Sequence, residues 1–419
     1  MQKKNNNHYK ELREKYPRFV YHAFHYQWNS KKHLEISFEF SIGETYYFAP
    51  KMLLKAGKHF AGFATPETLE GIVFHIGMIE LVSYWKATCS PEIYIKPYQL
   101  NDAQQAWWYK LYRKGLGEFF YQNGIAPEEP FFHFRFDDNA CPVLELHYRR
   151  IENEQRAIVP VGGGKDSVVT LEKLRSKQEI IPFIINPRGA TLDCTRIAGF
   201  AHEEDIVILE RTMDAQLLQL NNAGFLNGHT PFSAMLAFYT LLVASLTDTR
   251  SIALSNENSA NEATIAGTDV NHQYSKSLEF EEDFRKYVTE NMNDVAHYYS
   301  YLRRYSELEI AEMFSQYPQY FPYFRSCNVG SKQDVWCCHC PKCLFAYIIL
   351  APFIEKSQMI AIFGKNLLDE PSLQPCLEEL TGNAETKPFE CVGTIEEVNR
   401  ALEMLQGKAE YAGSRLLMK

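Results

Sequence analysis

The stretch that decides the predicted fold is Ala157-Ile158-Val159-Pro160-Val161-Gly162-Gly163-Gly164-Lys165-Asp166-Ser167. Its apolar start has the composition of a buried strand, and residues 168–174 continue with helical periodicity. Glycines between a strand and a helix let backbone N–H groups approach an anion, and the helix N-terminus adds favourable partial positive charge. The stretch therefore predicts a strand, an anion-binding loop and a helix.

Short apolar runs keep alternating with helix-like stretches on the C-terminal side of this loop. The runs cover residues 180–185, 205–209 and 251–254. Such alternation predicts an α/β fold in which helices cover a parallel sheet and ligands bind at the carboxyl ends of the strands. We assign this α/β domain to residues 151–279. Residues 1–150 form a predicted α+β module, and residues 280–419 form a helical region with a cysteine cluster and a mixed tail.

The N-terminal module has both strand-like and helix-like segments. Strands are predicted at His33–Phe40 and Glu92–Ile95, and helices at Gly71–Trp85 and Ala103–Tyr121. The aromatic residues of these helices recur at helical spacing, which we interpret as core packing. The apolar run from Met235 to Leu246 is too short for a membrane helix and predicts a buried one.

Three polar residues of the loop suit phosphate chemistry. Lys165 can neutralise a phosphate oxygen, Ser167 can donate to one, and Asp166 can hold a magnesium ion. The loop does not fit the common P-loop, which has four residues between its glycines and Ser or Thr directly after Lys. It resembles the pyrophosphate loop of the PP-loop ATP-pyrophosphatase superfamily, usually Ser-Gly-Gly-x-Asp-Ser, with Gly162 in place of the first Ser. The alternative is a tight turn without a ligand.

This resemblance implies an adenine nucleotide alpha hydrolase-like fold, with ATP and magnesium as cofactors. It also implies that the enzyme cleaves ATP to AMP and pyrophosphate and transfers AMP to a carbonyl or carboxyl oxygen. The phosphates gain charge in the transition state. Residues Gly162, Gly163, Gly164, Lys165, Asp166 and Ser167 would then act mainly by electrostatic stabilisation.

A second motif lies late in the chain, where four cysteines have spacings that suit a tetrahedral zinc site. They are Cys327, Cys337, Cys340 and Cys343, and Cys338 and His339 offer alternative ligands. Zinc-bearing members of the same superfamily, such as the 7-cyano-7-deazaguanine synthases, are similar in this respect. Redox or acid–base use of the thiols and plain buried cysteines are the alternatives to a structural zinc.

Further strings extend the likeness beyond these two motifs. They are GHTPFSA (228–234), SNENSANEATIAGTDVNHQYSKSLEFE (255–281), CCHCPKC (337–343), FGKNLLD (363–369) and KPFECVG (387–393). Together they resemble the MurL family, the UDP-N-acetyl-α-D-muramoyl-L-alanyl-L-glutamate epimerases of peptidoglycan precursor synthesis. The resemblance implies a UDP-muramoyl-dipeptide substrate whose terminal glutamate is adenylated on its α-carboxylate and then inverted at Cα.

The resemblance also suggests roles for polar residues around residues 229–277. Glu257 is a candidate second magnesium ligand, with the alternative of a solvated loop carboxylate. The candidate substrate-binding or catalytic residues are Asn256, Asn258, His272, Ser275, Lys276 and Ser277; the alternative for the last four is an ordinary surface loop. His229 precedes a predicted helix start at Thr230-Pro231, so it is either a neighbour of the helix cap or a catalytic group.

Epimerisation without a redox cofactor needs acid/base groups on opposite faces of Cα. Thiols can serve once nearby cations lower their pKa. Cys338 and Cys391 are the candidates outside the proposed zinc set, with His272 as an alternative partner. The sequence leaves the choice among them open.

Composition limits the other functions. The formal net charge of -9 argues against broad binding to nucleic acid, and the chain shows no secretion signal and no apolar run of membrane-spanning length. We therefore expect a cytoplasmic enzyme with a small-molecule substrate and no membrane or nucleic-acid partner. Two rivals remain: another adenylating enzyme, which makes amides or modifies a nucleobase or tRNA, and a non-catalytic nucleotide-binding module.

Overall fold

The computed structural model describes residues 7–62, 64–265 and 267–418. In chain order the strands and helices are α1 His8–Lys15, β1 Arg18–Trp28, β2 Leu34–Ile42, β3 Tyr46–Phe48, β4 Lys51–Lys55, α2 Pro66–Glu80, α3 Val82–Trp85, β5 Glu92–Ile95, α4 Asp102–Gly115, α5 Gly117–Gln122, β6 His133–Phe136, β7 Arg156–Pro160 and α6 Lys165–Arg175. They continue with β8 Glu179–Ile185, α7 Gly189–Ile197, β9 Val207–Thr212, α8 Ala215–Asn222, α9 Phe232–Thr247, β10 Ser251–Leu254, α10 Leu278–Asn291, β11 His297–Ser300, α11 Glu307–Ser315, α12 Pro341–Leu350, α13 Lys356–Phe363, α14 Gln374–Thr381 and α15 Ile395–Gln406.

Contacts between Cα atoms divide the chain into two compact units, each built from several segments. Unit 1 comprises residues 1–155, 207–252 and 280–298, and unit 2 comprises residues 156–206, 253–279 and 299–419. The division of the chain at residues 150 and 279 that the sequence suggests stays a prediction.

Unit 1 is built on a sheet with the strand order β9-β4-β2-β1-β5-β6, and β3 pairs with β2. β1 and β2 form a long antiparallel pair, whereas β5 runs parallel to β1 and β6 parallel to β5. Thr65 caps α2 and Pro66 follows it at the first helical position, a combination that favours helix initiation.

Aromatic residues of α3 and α4 belong to the core of unit 1. Trp85, Trp108 and Tyr112 are fully buried, whereas Tyr121 is exposed, so the interpretation of the helix aromatics as core packing is confirmed for most of them. α9 is likewise buried along most of its length, as the apolar run from Met235 predicts.

In unit 2, β7 and β8 are parallel neighbours, and α6 follows β7 across the glycine loop. β10 and β11 straddle the division between the units, and their hydrogen bonds also run in parallel register. The His297 N–H donates to Arg250 O and the Tyr301 N–H donates to Leu254 O, both at 2.8 Å. The predicted α/β class, with parallel strands around the glycine loop and a helical C-terminal part, is confirmed.

The core of unit 2 lies among α6, α11, α12 and α15. α11 begins with a capping box between Ser306 and Glu309, and α15 with one between Thr394 and Glu397. Within the described ranges, none of the helices combines the length and the apolar character that crossing a bilayer requires.

Candidate active site

The glycine loop occupies residues 162–164, directly between β7 and α6. Gly163 has a φ of 82°, and a Cβ at this position would lie 2.9 Å from the backbone carbon of Ala190, so a side chain does not fit there. The Arg325 N–H donates to Gly163 O at 2.8 Å. Gly164 is the N-cap of α6, whose first-turn N–H groups lack acceptors within the helix and can bind an anion.

Lys165 is the first residue of α6, and its buried ammonium donates to the carboxylates of Asp166 and Glu307. Burial by itself lowers the pKa of Lys165, but the attraction of the two carboxylates is greater and raises it above the ordinary value. The Ser167 hydroxyl donates to Gly164 O at 3.0 Å. The loop therefore holds a positive charge that contacts two carboxylates.

Glu307 is the first residue of α11 and is almost fully buried. Its N–H donates to the Glu397 carboxylate at 2.8 Å. Burial raises the pKa of Glu307 to about 7; Lys165 opposes the rise, and the neighbouring charges of Asp166 and Glu257 add to it. Three carboxyl groups therefore crowd one region.

Asp166 and Glu257 are the two predicted magnesium ligands. The Glu257 side chain is buried and accepts a hydrogen bond from Ser259 Oγ at 3.1 Å, and a third of the Asp166 side chain is exposed. Both carboxylates act electrostatically on Glu307 and on Lys276. Oxygen ligands of this kind suit magnesium, so the two residues could hold the ion next to the loop.

Cys391 forms the second chemically distinctive part of the site. The residue is half-buried, and its thiol is hydrogen-bonded to Lys276 and to His272. Burial by itself raises the pKa of Cys391, but the Lys276 ammonium and the His272 hydrogen bond lower it to about 6. The group is thus a thiolate at neutral pH, suited to proton abstraction or nucleophilic attack.

Arg303 connects the segments that carry Glu257 and Lys276. Its guanidinium donates to Glu257 O at 2.7 Å and to Lys276 O at 2.6 Å. The Gln273 side chain donates to Val392 O at 3.1 Å, which ties the turn carrying Lys276 to the loop carrying Cys391. The segments that carry the Glu257 carboxylate, the Lys276 ammonium and the Cys391 thiol are therefore held by hydrogen bonds to their backbones as well as by charge.

The four predicted zinc-binding cysteines lie together in unit 2. The sulfur atoms of Cys327, Cys337, Cys340 and Cys343 are all within 4.8 Å of one another. Cys327 lies 3.9 Å from Cys340, and Cys337 lies 3.7 Å from Cys343. A tetrahedral zinc ion with bonds of about 2.3 Å to sulfur separates its ligands by about 3.8 Å, so the four thiols could bind zinc with little movement.

Comparison with known proteins identifies the family. Residues 10–301 match the MurL N-terminal domain and residues 323–419 match the MurL C-terminal domain. The chain belongs to the MurL family. Three relatives are each named UDP-N-acetyl-alpha-D-muramoyl-L-alanyl-L-glutamate epimerase. One from Micromonospora sp. is 34% identical over 361 residues, covering 83% of this chain and 77% of the relative.

The other two relatives give a similar picture. The protein from Xanthomonas oryzae pv. oryzae is 35% identical over 351 residues, covering 80% of this chain and 74% of the relative. The protein from Salinispora tropica is 34% identical over 351 residues, covering 81% of this chain and 74% of the relative. The names of all three describe an isomerase, and the family resemblance seen in the sequence is confirmed.

Several predicted site residues of this MurL-family chain converge in unit 2. The group linked by hydrogen bonds or charge comprises Lys165, Asp166, Glu257, His272, Lys276 and Cys391. Asn256 is buried and donates to Ser300 Oγ at 3.1 Å, whereas Asn258 is exposed and bonds Asn261 at 2.9 Å through its carbonyl. Ser275 and Ser277 are buried.

The two remaining candidates are His229 and Cys338. His229 belongs to unit 1, where its Nδ1 lies 3.3 Å from the Glu118 carboxylate. The Cys338 thiol donates to Phe363 O at 3.1 Å, and burial raises its pKa. The charges that act on Cys338 are those of Lys365, Glu370 and nearby cysteines, not those around Cys391. The catalytic roles of His229 and Cys338 stay predictions.

Three residues of the MurL site were missed from the sequence. Glu307 follows Ser306 in a capping box and resembles an ordinary helix start. Arg303 stands in a tyrosine-rich segment without a recognisable motif. Lys342 lies inside the cysteine motif, between Cys340 and Cys343, and its position there is the one signal that could have drawn attention to it.

Proposed function

We propose that the chain is an ATP-dependent epimerase that converts UDP-N-acetylmuramoyl-L-Ala-L-Glu to UDP-N-acetylmuramoyl-L-Ala-D-Glu. The observation that carries the proposal is the Cys391 thiolate beside Lys276, in the same charged cluster as Lys165 and Asp166 of the glycine loop. A phosphate-binding loop next to a thiolate base suits an enzyme that first activates a carboxylate and then moves a proton. The names of the three relatives support the same substrate and the same inversion.

Membership of the PP-loop ATP-pyrophosphatase superfamily is part of this proposal. It is supported by the strand, loop and helix around Gly162–Gly164 and by the buried ammonium of Lys165. When ATP is bound, Lys165 and the first-turn N–H groups of α6 would hold the β and γ phosphates. Asp166 and Glu257 would hold magnesium, which neutralises phosphate charge in the transition state.

The chemistry explains why an epimerase would need ATP. The Cα proton of a glutamate is very weakly acidic while the neighbouring carboxylate is ionised, because its removal places negative charge beside negative charge. In the proposed reaction a carboxylate oxygen attacks the α-phosphorus, pyrophosphate leaves, and an acyl-adenylate forms. The activated acyl group can accept the electron pair released when the Cα proton departs. A proton then returns to Cα on the opposite face, and water releases AMP from the inverted product.

Cys391 is the proposed acid/base group on one face of Cα. A thiol with a pKa of about 6 is largely ionised at neutral pH and can still be reprotonated. His272 is hydrogen-bonded to this thiol, so we assign it to the same face, as a proton relay for Cys391. The group on the opposite face is then a different residue.

The four clustered cysteines complete the proposal. Their sulfur separations fit a structural zinc ion, which would link the segment around Cys327 to the start of α12. Cytoplasmic location, a role in peptidoglycan synthesis and the absence of membrane and nucleic-acid partners stay predictions.

Isotope exchange tests the proposed function most directly. The purified chain is incubated in deuterium oxide with magnesium and UDP-N-acetylmuramoyl-L-Ala-L-Glu, with and without ATP. We expect deuterium at the glutamyl α position only when ATP is present, together with release of pyrophosphate and formation of the D-glutamyl product. A substrate whose α-carboxylate is an amide should give neither exchange nor pyrophosphate.

Variants separate the two halves of the reaction. Lys165→Ala should abolish both pyrophosphate release and exchange, whereas Cys391→Ser should keep part of the pyrophosphate release and slow the exchange. Inversion without ATP would refute the order of steps. An amide synthetase would release pyrophosphate without α exchange, and a non-catalytic nucleotide-binding module would bind ATP and release none.

A further inference from the structure

Lys342 is a cation of the site that the proposed chemistry has not used. It lies in the first turn of α12 between Cys340 and Cys343, and its side chain is half-buried. Its ammonium lies 5.4 Å from the centre of the Phe345 ring. The same ring borders Gly393, where an added Cβ would lie 3.0 Å from Phe345 and 3.1 Å from Glu307. The Lys342 ammonium therefore lies near the Phe345 ring, and this ring borders Gly393 on the loop that also carries Cys391.

The charge of Lys342 reaches both parts of the site. After the larger effect of Lys165 it helps to lower the pKa of Asp166, at the start of α6, and after those of Lys276 and His272 it helps to lower the pKa of Cys391. It also opposes the rise in the pKa of Glu307. The ammonium therefore acts on the phosphate-binding groups and on the thiolate.

The other buried or half-buried lysines of this region have partners, and Lys342 differs from them. Lys165 binds Asp166 and Glu307, Lys276 binds Cys391, and Lys387 binds Glu262. Across residues 7–62, 64–265 and 267–418, Lys342 has no hydrogen-bond or ion-pair partner. An ammonium without such a partner, close to Asp166 and Glu307, which already bind Lys165, can bind an anion that enters the site.

The cysteine cluster positions Lys342 between the glycine loop and the loop that carries Cys391. Cys340 and Cys343 flank Lys342 directly in the sequence. On the other side of the cluster, residues next to Cys327 touch both loops. The Arg325 N–H donates to Gly163 O at 2.8 Å, and the Asn328 side chain donates to Glu390, the neighbour of Cys391. The thiol cluster thus connects the glycine loop, Lys342 and the thiolate loop.

We infer that Lys342 binds the acyl-phosphate end of the adenylated substrate, at the α-phosphate and the acyl oxygen next to it. This inference rests on the proposed function and assigns a residue to it. Negative charge develops on the α-phosphate during adenylation and on the acyl oxygen when the Cα proton leaves. One cation beside both atoms stabilises both transition states, whereas Lys165 serves only the first and Cys391 only the second.

The test compares Lys342→Met and Lys342→Arg with Lys365→Met as a matched control. Lys365 is also near the cysteines, but it pairs with Glu370 at 3.1 Å and is substantially exposed. For each variant we would measure pyrophosphate release, α-deuterium incorporated per pyrophosphate released, bound zinc, Tm, and the affinity for AMP as a probe of the α-phosphate site.

We expect Lys342→Met to slow both adenylation and exchange of the α proton and to keep the bound zinc. Lys342→Met should slow pyrophosphate release by about 100-fold, the usual loss when one donor to a developing oxyanion is removed, and should also lower the deuterium incorporated per turnover. It should weaken AMP binding by roughly tenfold, or about 1.4 kcal/mol, close to the lower end of the range for a charge-assisted contact. Lys342→Arg should restore part of each value, and Lys365→Met should match the wild type.

Three outcomes would overturn the inference: wild-type pyrophosphate release and AMP affinity in Lys342→Met, loss of pyrophosphate release with normal deuterium per turnover, or loss of zinc and of thermal stability. Failure of the proposed function is distinguishable from these, because the wild-type chain would then release no pyrophosphate and exchange no proton. In that case the AMP measurement alone decides whether Lys342 binds a phosphate.

Discussion

Replacing Lys276 by Met should raise the pKa of Cys391, because the Lys276 ammonium is the strongest influence that lowers it. The site brings the pKa of the thiol from 9.0 down to about 6. A hydrogen-bonded opposite charge typically accounts for about 1 to 3 units of such a shift. A rise of about two units, or about 3 kcal/mol, would reduce the thiolate at pH 7 from roughly nine tenths of the molecules to roughly one tenth.

Alkylation by iodoacetamide measures this pKa without any substrate. The reaction is quenched early at a series of pH values from about 5 to about 9, where thiolates are the reacting species. Labelled Cys391 is quantified by mass spectrometry, since the chain has ten cysteines. Wild-type labelling should increase as the pH rises through about 6. In Lys276→Met the midpoint should move up towards about 8.

Lys365→Met is the control for a general loss of positive charge. Lys365 acts on Cys338 and is not among the residues that lower the pKa of Cys391, so the Cys391 midpoint should not change. The reasoning is refuted if Lys276→Met and the wild type, both folded by circular dichroism, have the same Cys391 midpoint. A wild-type midpoint near the ordinary value of a thiol would refute it equally.

Two further predictions concern the cysteine cluster and the glycine loop. Elemental analysis of protein purified without chelators should find one zinc per chain; Cys340→Ser should lose it and lower Tm by roughly 10 °C or more, whereas exposed Cys141→Ser should do neither. If the wild-type protein keeps its Tm when it contains no metal, a structural zinc is contradicted. Gly163→Ala should cost about 2 kcal/mol in chemical denaturation, because Gly163 has a left-handed φ of 82° and an added Cβ would lie 2.9 Å from Ala190. Gly162→Ala, where an added Cβ has no neighbour within 4 Å, should be tolerated, and equal losses in the two variants would contradict this assignment.

Local patterns predicted the elements next to the loop well. The apolar run ending at Val161 and the glycines after it mark a strand and a helix start, and the structure has β7 and α6 in those places. The cysteine spacing likewise predicted four sulfurs in one cluster. These features depend on residues close together in the sequence, and their physical causes are local.

Other elements depend on information that local patterns do not contain. β1 was not predicted, because a bulge between Tyr21 and Ala23 interrupts the alternation of buried and exposed side chains. Glu307 contacts Lys165 across 142 residues of sequence and lies outside both ranges that match the MurL domains. The choice between Cys338 and Cys391 likewise depended on which cations the fold brings to each thiol.

The charges around the loop fit the order of steps proposed for the reaction. Asp166 and Glu307 both bind Lys165, so phosphates could use that ammonium only if another cation took over the carboxylates. Magnesium entering with ATP would do this, and its charge would also favour the ionised form of Glu307, whose pKa is raised to about 7. The Cys391 thiolate, by contrast, is held by Lys276 and His272. In the proposed mechanism the base would therefore be ready before adenylation, and adenylation would change the acidity of the substrate. On this reasoning the free chain should not exchange the Cα proton, because the thiolate faces a carbon that is not yet acidic enough.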